Sequence, residues 1–169
     1  MITLIPIGEI EESALEALKQ PLAEVFGQQT QIGSGLELSR ESYNLQRRQY
    51  LATAILNLIP LPPADDRMLG IVDADLFAPG LNFVFGQADV AGKRALISLK
   101  RLRQEFYGLP PDEKLFLERT LKEAVHELGH TYGLGHCSDH KCVMYFSNSL
   151  HDTDVKGWSF CSRCRTEVR

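Results

Sequence analysis

The sequence predicts an α+β fold, with an α/β-like upper part, a long helix closing that part, and a short tail of little regular structure. Three observations carry the expectation. β-branched apolar runs alternate with helical repeats over the first 132 residues. The stretch His126 to His136 combines helical spacing with metal-binding side chains. All four cysteines of the chain come after His136. At 169 residues, 44% hydrophobic and 24% charged, one core of good size is expected and a second full domain is not.

Residues 2–7 are apolar and β-branched and read as a buried strand. Ser13-Ala14-Leu15-Glu16 has the capping-box pattern and opens a helix with Leu15, Leu18, Leu22, Val25 and Phe26 on one side, closed by Gly27. Pro21 lies inside that repeat and is expected to kink or divide it, because proline lacks the N–H a helix needs. Residues 29–38 suit a second strand, bent at Gly33-Ser34-Gly35. Tyr50 to Ile59 reads as a helix on the stripe Leu51, Ala54, Ile55 and Leu58, ended by Pro60, Pro62 and Pro63.

Arg67 to Val72 reads as a central strand leading into Asp73-Ala74-Asp75. Two carboxylates at a strand end can hold a metal or exchange protons, but more commonly they cap a turn. Leu81 to Phe85 and Ala95 to Leu99 read as two further strands, joined by a loop carrying Gly86 and Gly92. Pro110-Pro111-Asp112-Glu113 is a strong helix start, with proline and acids in the first turn. The helix that follows, about 112–132, carries Leu117, Leu121, Val125, Leu128 and Tyr132 on a stripe nearly opposite His126 and His130. It is expected to be core on one side and open to a cleft on the other.

The end of that helix carries the chemistry. His126-Glu127-Leu128-Gly129-His130-Thr131-Tyr132-Gly133-Leu134-Gly135-His136 reads H-E-x-x-H-x-x-G-x-x-H. His126 and His130 sit one turn apart on one helix face, so their imidazoles can share a Zn²⁺. Gly133 can take the left-handed conformation that turns the chain back and brings His136 to the same metal. Three histidines leave the fourth tetrahedral position to water, the layout of a catalytic site. Glu127, rotated about 100° from His126, is placed to touch that water and accept its proton, and so is the candidate general base.

Charge and composition limit the partners. A net charge of −4 gives no electrostatic case for nucleic acid or an anionic membrane, and Arg47-Arg48 reads as solvated surface. No segment approaches transmembrane length, and the start, with Glu9, Glu11 and Glu12 close behind it, does not resemble a signal peptide. The expected setting is the cytosol, with the chain taken as a monomer acting on a peptide or protein substrate. In a reducing compartment the four cysteines are metal ligands or free thiols before they are disulfides. Cys137 and Cys142, with the C-x-x-C pair Cys161 and Cys164, fit a closed structural zinc site that staples a tail poor in apolar periodicity. A redox C-x-x-C pair is the rival reading. His140 and His151 read as surface residues. Met144, two residues beyond Cys142, is either core filling or the methionine of a Met-turn beneath a histidine-ligated zinc.

Together these residues resemble the metzincin clan of zinc metalloproteases, and specifically the archaemetzincin family. The long zinc motif from His126 to His136 and Met144 match the clan. Cys137 directly after the third histidine, Cys142, and the later Cys161 and Cys164 match the family, as do Leu81 to Ala88, Ser147-Asn148-Ser149 and Asp154-x-Lys156. The resemblance implies a metzincin-type fold and a single catalytic domain over 1–169. Its N-terminal subdomain (1–132) would hold a twisted mixed sheet and the active-site helix, and its C-terminal subdomain (133–169) the four-cysteine zinc. Asn82 to Phe85 would form the edge strand along the substrate cleft, able to bind a peptide by β-augmentation. Some metzincins place a tyrosine two residues after the Met-turn methionine; that position is Phe146 here.

The leading functional reading is a zinc-dependent peptidase that uses a zinc-bound water with Glu127 as general base, and needs two zinc ions per chain. One alternative is a hydrolase restricted to short peptides, as an aminopeptidase is. Another is a non-enzymatic, zinc-stabilised binding module, which would need the cysteines but has no use for Glu127.

Overall fold

Parallel strand pairs set the architecture. The computed structural model describes residues 1–168. In chain order it has β1 (Ile2–Ile7), α1 (Glu12–Phe26), β2 (Thr30–Ile32), β3 (Tyr43–Asn44), β4 (Gln49–Leu51), α2 (Ala52–Leu56), β5 (Arg67–Val72), β6 (Leu76–Phe77), β7 (Gly86–Asp89) and β8 (Arg94–Ser98). The helices α3 (Glu113–Thr131), α4 (Leu150–Val155) and α5 (Ser162–Glu167) follow. The main sheet runs β2-β1-β5-β8-β7, parallel except for the edge strand β7, which pairs antiparallel to β8. β5 is central, as its unbroken apolar run requires of a strand buried on both faces. A small sheet, β3-β4-β6, lies beside it.

Side-chain alternation along the strands assigns the two faces. Ile2, Leu4, Leu69, Ile71, Ala95 and Ile97 pack with Leu15, Leu18 and Leu22 of α1 and with Ala124, Val125 and Leu128 of α3. Ile5, Ile7, Val72 and Leu96 face the other way, onto Ala52, Ile55 and Leu56 of α2. The tail shares the first of these cores: Leu134, Val143, Met144 and Phe160 belong to the same cluster as the sheet and α3.

Several local expectations change. α1 runs unbroken through Pro21, because Leu18 and Leu22 are buried on either side of it and packing outweighs one missing backbone bond. Its N-cap is Glu11, without a side-chain cap bond, so the Ser13–Glu16 capping box does not open the helix. The strand expected over 29–38 is only Thr30–Ile32, followed by a bridge from Leu36 to Ile7. Tyr50 and Leu51 belong to β4, and helix α2 is the short Ala52–Leu56.

Two further expectations concern the cleft wall. Leu81 to Phe85 is not a strand apart from a bridge between Val84 and Leu76; the edge strand begins at Gly86, which the sequence reading left in a loop. Arg47, though exposed, is not idle surface. It donates to the carbonyls of Leu81 and Asn82 at 2.7 and 3.1 Å and lies over the Phe77 ring, pinning the start of that wall. Asp75 and Asp73 take the structural option. Asp75 accepts two bonds from Arg101 and Asp73 one from Arg103, which ties the end of β5 to the turn after β8. No described helix is long and apolar enough to cross a membrane.

Candidate active site

α3 starts where the acidic first turn places it: the Asp112 carboxylate accepts from the Leu115 N–H at 2.9 Å and caps the helix. The far end closes in a Schellman turn. The Gly133 N–H bonds the His130 carbonyl, the Leu134 N–H bonds the Gly129 carbonyl, and Gly133 sits at φ 89°. The expected left-handed glycine is therefore present. The turn also does a second job, since the Leu134 carbonyl accepts from His130 Nδ1 at 2.7 Å. His126 Nδ1 is held in the same way by the Val143 carbonyl, at 2.8 Å.

These two bonds decide the protonation of the rings. A carbonyl oxygen can only accept, so both imidazoles carry their proton on Nδ1 and turn a lone pair outward on Nε2. The two Nε2 atoms lie 3.2 Å apart. Neither has a proton to give, so this separation is not a hydrogen bond but two acceptors facing one point. It matches the edge of a zinc tetrahedron built on imidazole nitrogens, about 3.3 Å. His136 joins them: one ring nitrogen from each of the three histidines lies within 4.8 Å of the others. Burial lowers the pKa of all three, most for His126, and keeps them neutral as metal ligands must be. The donor set fits zinc.

The helix is less open than expected. His126 and Glu127 are buried, because residues 142–160 pack across the face that carries them. Only His136 is exposed. Glu127 lies against the edge strand: a Cβ on Gly86 would stand 2.6 Å from Glu127 Cγ and 2.8 Å from Oε1. Burial pushes the Glu127 carboxyl up to about 8, the nearby Glu123 adds to the rise, and the Lys156 ammonium opposes it. A cavity of ≈ 50 Å³ opens beside it, bounded by Phe83 to Gly86, Glu123, His126, Phe146 and Ser147. A second, of ≈ 160 Å³, continues between Leu81 to Phe83 and Phe146 to Asn148.

Met144 is fully buried directly beneath the helix, and Gly129 makes room for it: a Cβ there would meet Met144 Sδ at 2.5 Å. The Phe146 ring lies 4.8 Å from that of His136, in the place where a tyrosine could have carried a hydroxyl. The four cysteine sulfurs also converge within 4.8 Å of one another. Cys137 and Cys161 Sγ are 3.9 Å apart, close to the edge of about 3.8 Å for a tetrahedral zinc–thiolate site. All four are free of disulfides. The Cys161 N–H points at Cys142 Sγ (3.3 Å) and the Arg163 guanidinium at Cys137 Sγ (3.2 Å), contacts that would supply positive character to thiolates if a metal were bound. His140 and His151 are exposed and belong to neither cluster.

Sequence reasoning missed a buried polar brace on the turns of α3 that precede the histidines. Lys156, 1% exposed, pairs with Glu123 at 3.0 Å, and Glu123 also accepts from Thr153. Arg119 makes a two-bond pair with Asp154 at 2.6 and 2.7 Å, and Lys122 donates to the Thr153 and Asp154 carbonyls. α4 is thereby clamped to the histidine-bearing face of α3, one to two turns before His126. Glu123 was within reach of inspection, one turn before Glu127 on the helix; Lys156 stood out only within Asp154-x-Lys156, with nothing to mark it as buried.

A three-histidine cradle with a buried carboxylate at its side, opening on a cleft beneath an edge strand, defines the class: a zinc-dependent peptidase. The comparisons with known proteins agree. The model of Peptidase family M54 matches residues 30–169. The archaemetzincin of Methanocaldococcus jannaschii is 47% identical over 99% of this chain and 92% of its own length. The crystal structure of archaemetzincin from Archaeoglobus fulgidus, complexed with malonate, superposes with a TM-score of 0.87 at 39% identity, covering 99% of both chains. A zinc-dependent peptidase from Methanocorpusculum labreanum gives a TM-score of 0.91 at 28% identity, over all of both chains. The chain belongs to the archaemetzincin family of zinc metalloproteases, Peptidase family M54.

Proposed function

We propose that His126, His130 and His136 hold the catalytic zinc, and that Glu127 is the proton acceptor in peptide-bond hydrolysis. Cys137, Cys142, Cys161 and Cys164 hold a second, structural zinc. The observation that carries this reading is the convergence of two Nε2 lone pairs at 3.2 Å, enforced by the Val143 and Leu134 carbonyls. Such an arrangement is unfavourable until a cation occupies it. A zinc ion held by these three imidazoles would supply Lewis acidity toward the scissile carbonyl and would bring the pKa of a water to roughly 7.

Glu127 takes the proton of the attacking water on its carboxylate and passes it to the leaving amine. Its raised pKa suits the second transfer, and a dication held in the cradle would lower it toward the first. The peptide lies extended along the cleft wall of residues 82–86, where the edge strand β7 begins. A binding module has no use for a buried carboxylate beside an open ligand position, which disfavours that alternative.

Met144 serves as the Met-turn of a metzincin, packed under Gly129 one residue before His130. The whole of 1–169 acts as one catalytic domain, with 133–169 as the zinc-stapled lower part. The chain works as a monomer in the cytosol, where four thiolates persist. The test is direct. Metal analysis of reduced protein should give two zinc per chain, and Glu127→Gln should retain both while losing peptidase activity by at least a hundredfold. One zinc per chain would remove the cysteine site, and an active Glu127→Gln would remove the proton acceptor.

A further inference from the structure

The cleft contains one hydroxyl that the chemistry above does not use. Ser147 Oγ is buried and has no hydrogen-bond partner. It lines the cavity beside Glu127 and also the adjoining one, so it stands where the two meet. A buried hydroxyl left unpaired is disfavoured by roughly 1–3 kcal/mol, so such groups are usually answered by water or by a ligand.

The other polar side chains of the inner cavity are already committed. Glu123 is taken by Lys156 and Thr153, His126 Nδ1 by the Val143 carbonyl, and Glu127 is the proton acceptor. The remaining walls, Phe83, Val84, Phe85 and Phe146, are apolar. Ser147 is therefore the one neutral side-chain donor lining the inner cavity, across from Phe83 to Gly86, the segment that leads into the edge strand.

We propose that Ser147 is a substrate-positioning residue whose hydroxyl donates to a main-chain carbonyl of the bound peptide. An extended peptide presents carbonyls alternately to its two sides. On one side they meet the cleft wall of residues 82–86. On the other they reach residues 146–148, where Ser147 offers the buried, unpaired hydroxyl and Asn148 lines only the outer cavity. The contact is made with the ground-state peptide as well as with the reacting one, so its loss raises KM and leaves kcat nearly unchanged. A main-chain acceptor also makes the effect independent of peptide sequence. This inference rests on reading the His126–Glu127 cleft as the substrate site.

The experiment compares wild type with Ser147→Ala, both zinc-loaded, on a pool of defined fluorogenic decapeptides. Kd for the same labelled pool is measured by anisotropy on metal-free protein. The expected result is a five- to tenfold rise in KM and in Kd across all peptides that bind, with kcat within twofold and the unfolding midpoint unchanged. Ser147→Thr, which keeps a hydroxyl, should recover part of the affinity. Equal KM and Kd in Ser147→Ala and wild type would overturn the proposal. So would a loss confined to peptides with polar side chains, which would assign the bond to a side chain, or a lowered unfolding midpoint with unchanged affinity, which would make the hydroxyl structural. A wild-type protein that bound the pool without cleaving it would refute the Glu127 chemistry, and the Kd comparison would still decide on Ser147.

Discussion

Gly86→Ala isolates the contact between the edge strand and the Glu127 carboxylate. The backbone at Gly86 is not left-handed, so alanine is conformationally acceptable and the penalty is one of space alone. The added methyl would stand 2.5 Å from the Leu96 carbonyl oxygen, 2.6 Å from Glu127 Cγ and 2.8 Å from Glu127 Oε1. Ordinary contact begins at 3.4 Å, so something must move by about 0.8 Å. Leu96 is a backbone neighbour inside the sheet and cannot yield, which leaves Glu127 or the whole of β7 to shift.

Overpacking of this kind costs about 1–3 kcal/mol in stability. A displacement near 1 Å at a reacting group costs about 10²-fold in rate. We expect kcat to fall by about a hundredfold while the histidine site keeps its zinc, because the atoms nearest the new methyl belong to Leu96 and Glu127 and not to an imidazole. Gly92→Ala is the control. It crowds the Asp89 carboxylate at the far end of the same hairpin, so it should cost comparable stability and leave kcat intact. Peptidase kinetics, zinc content and denaturant midpoints on both variants decide the matter. If Gly86→Ala kept kcat within threefold of wild type, or Gly92→Ala lost as much, the argument from the Glu127 contact would fail.

Lys156→Met strands a buried Glu123 carboxylate and should cost about 3–5 kcal/mol in denaturant unfolding of the zinc-loaded protein. Adding Glu123→Gln should recover part of that loss, and a single variant within 1 kcal/mol of wild type (about the worth of a surface pair) would show the pair to be dispensable. In the metal-free protein, the lowered pKa values of His126, His130 and His136 contribute stability that is present above about pH 6.5 and is lost as pH falls through the folded values. Glu127 acts with the opposite sign: its contribution is full below the ordinary carboxylate range and is lost as pH rises through about 8, so Glu127→Gln should flatten the alkaline limb of a pH–stability curve. An unchanged alkaline limb would mean that Glu127 is not buried as described. Cys137→Ser should weaken zinc binding at the histidines as well as at the thiolates, measured by competition with a chromophoric chelator. Wild-type affinity at the histidines with an empty cysteine cluster would make the two sites independent.

What was legible in the sequence was whatever repeats at short range. The α3 stripe, the Asp112 start, the left-handed Gly133 and the spacing of His126, His130 and His136 each follow from helix geometry within a few residues. The edge strand was misplaced for a related reason. Leu81 to Phe85 has strand-like composition, yet its aromatic side chains line the cleft, while Gly86 to Asp89 pairs with β8 despite weak strand propensity. There tertiary contact overrode local preference. Gly86, Lys156 and Ser147 fall in segments that resemble the family, but nothing local marks what they do, because each acts through a partner brought to it by the fold: Glu127 for the first, Glu123 for the second, and for the third the substrate proposed above. The closed histidine face was missed for the same reason. The periodicity of α3 shows which side is apolar, but not that the tail returns to cover the other.

The return of the tail also changes how the two ligand clusters are connected. From the sequence, the link is the single peptide bond between His136 and Cys137. In the folded chain there are two more. The Cys137 N–H bonds the Met144 carbonyl at 2.9 Å, and the Val143 carbonyl, one residue beyond Cys142, fixes His126 Nδ1. The segment from Cys142 to Met144 is thus held at one end by the thiolate cluster, while its carbonyls orient an imidazole and its methionine seats Gly129. Loosening the cysteines should release not only the exposed His136 but also the tautomer of the most buried ligand. His130 is set apart, because its Nδ1 partner, Leu134, belongs to the Schellman turn of its own helix. That division explains why so small an irregular tail can matter to the chemistry: it supplies the orientation of two of the three histidines, and the helix supplies the third.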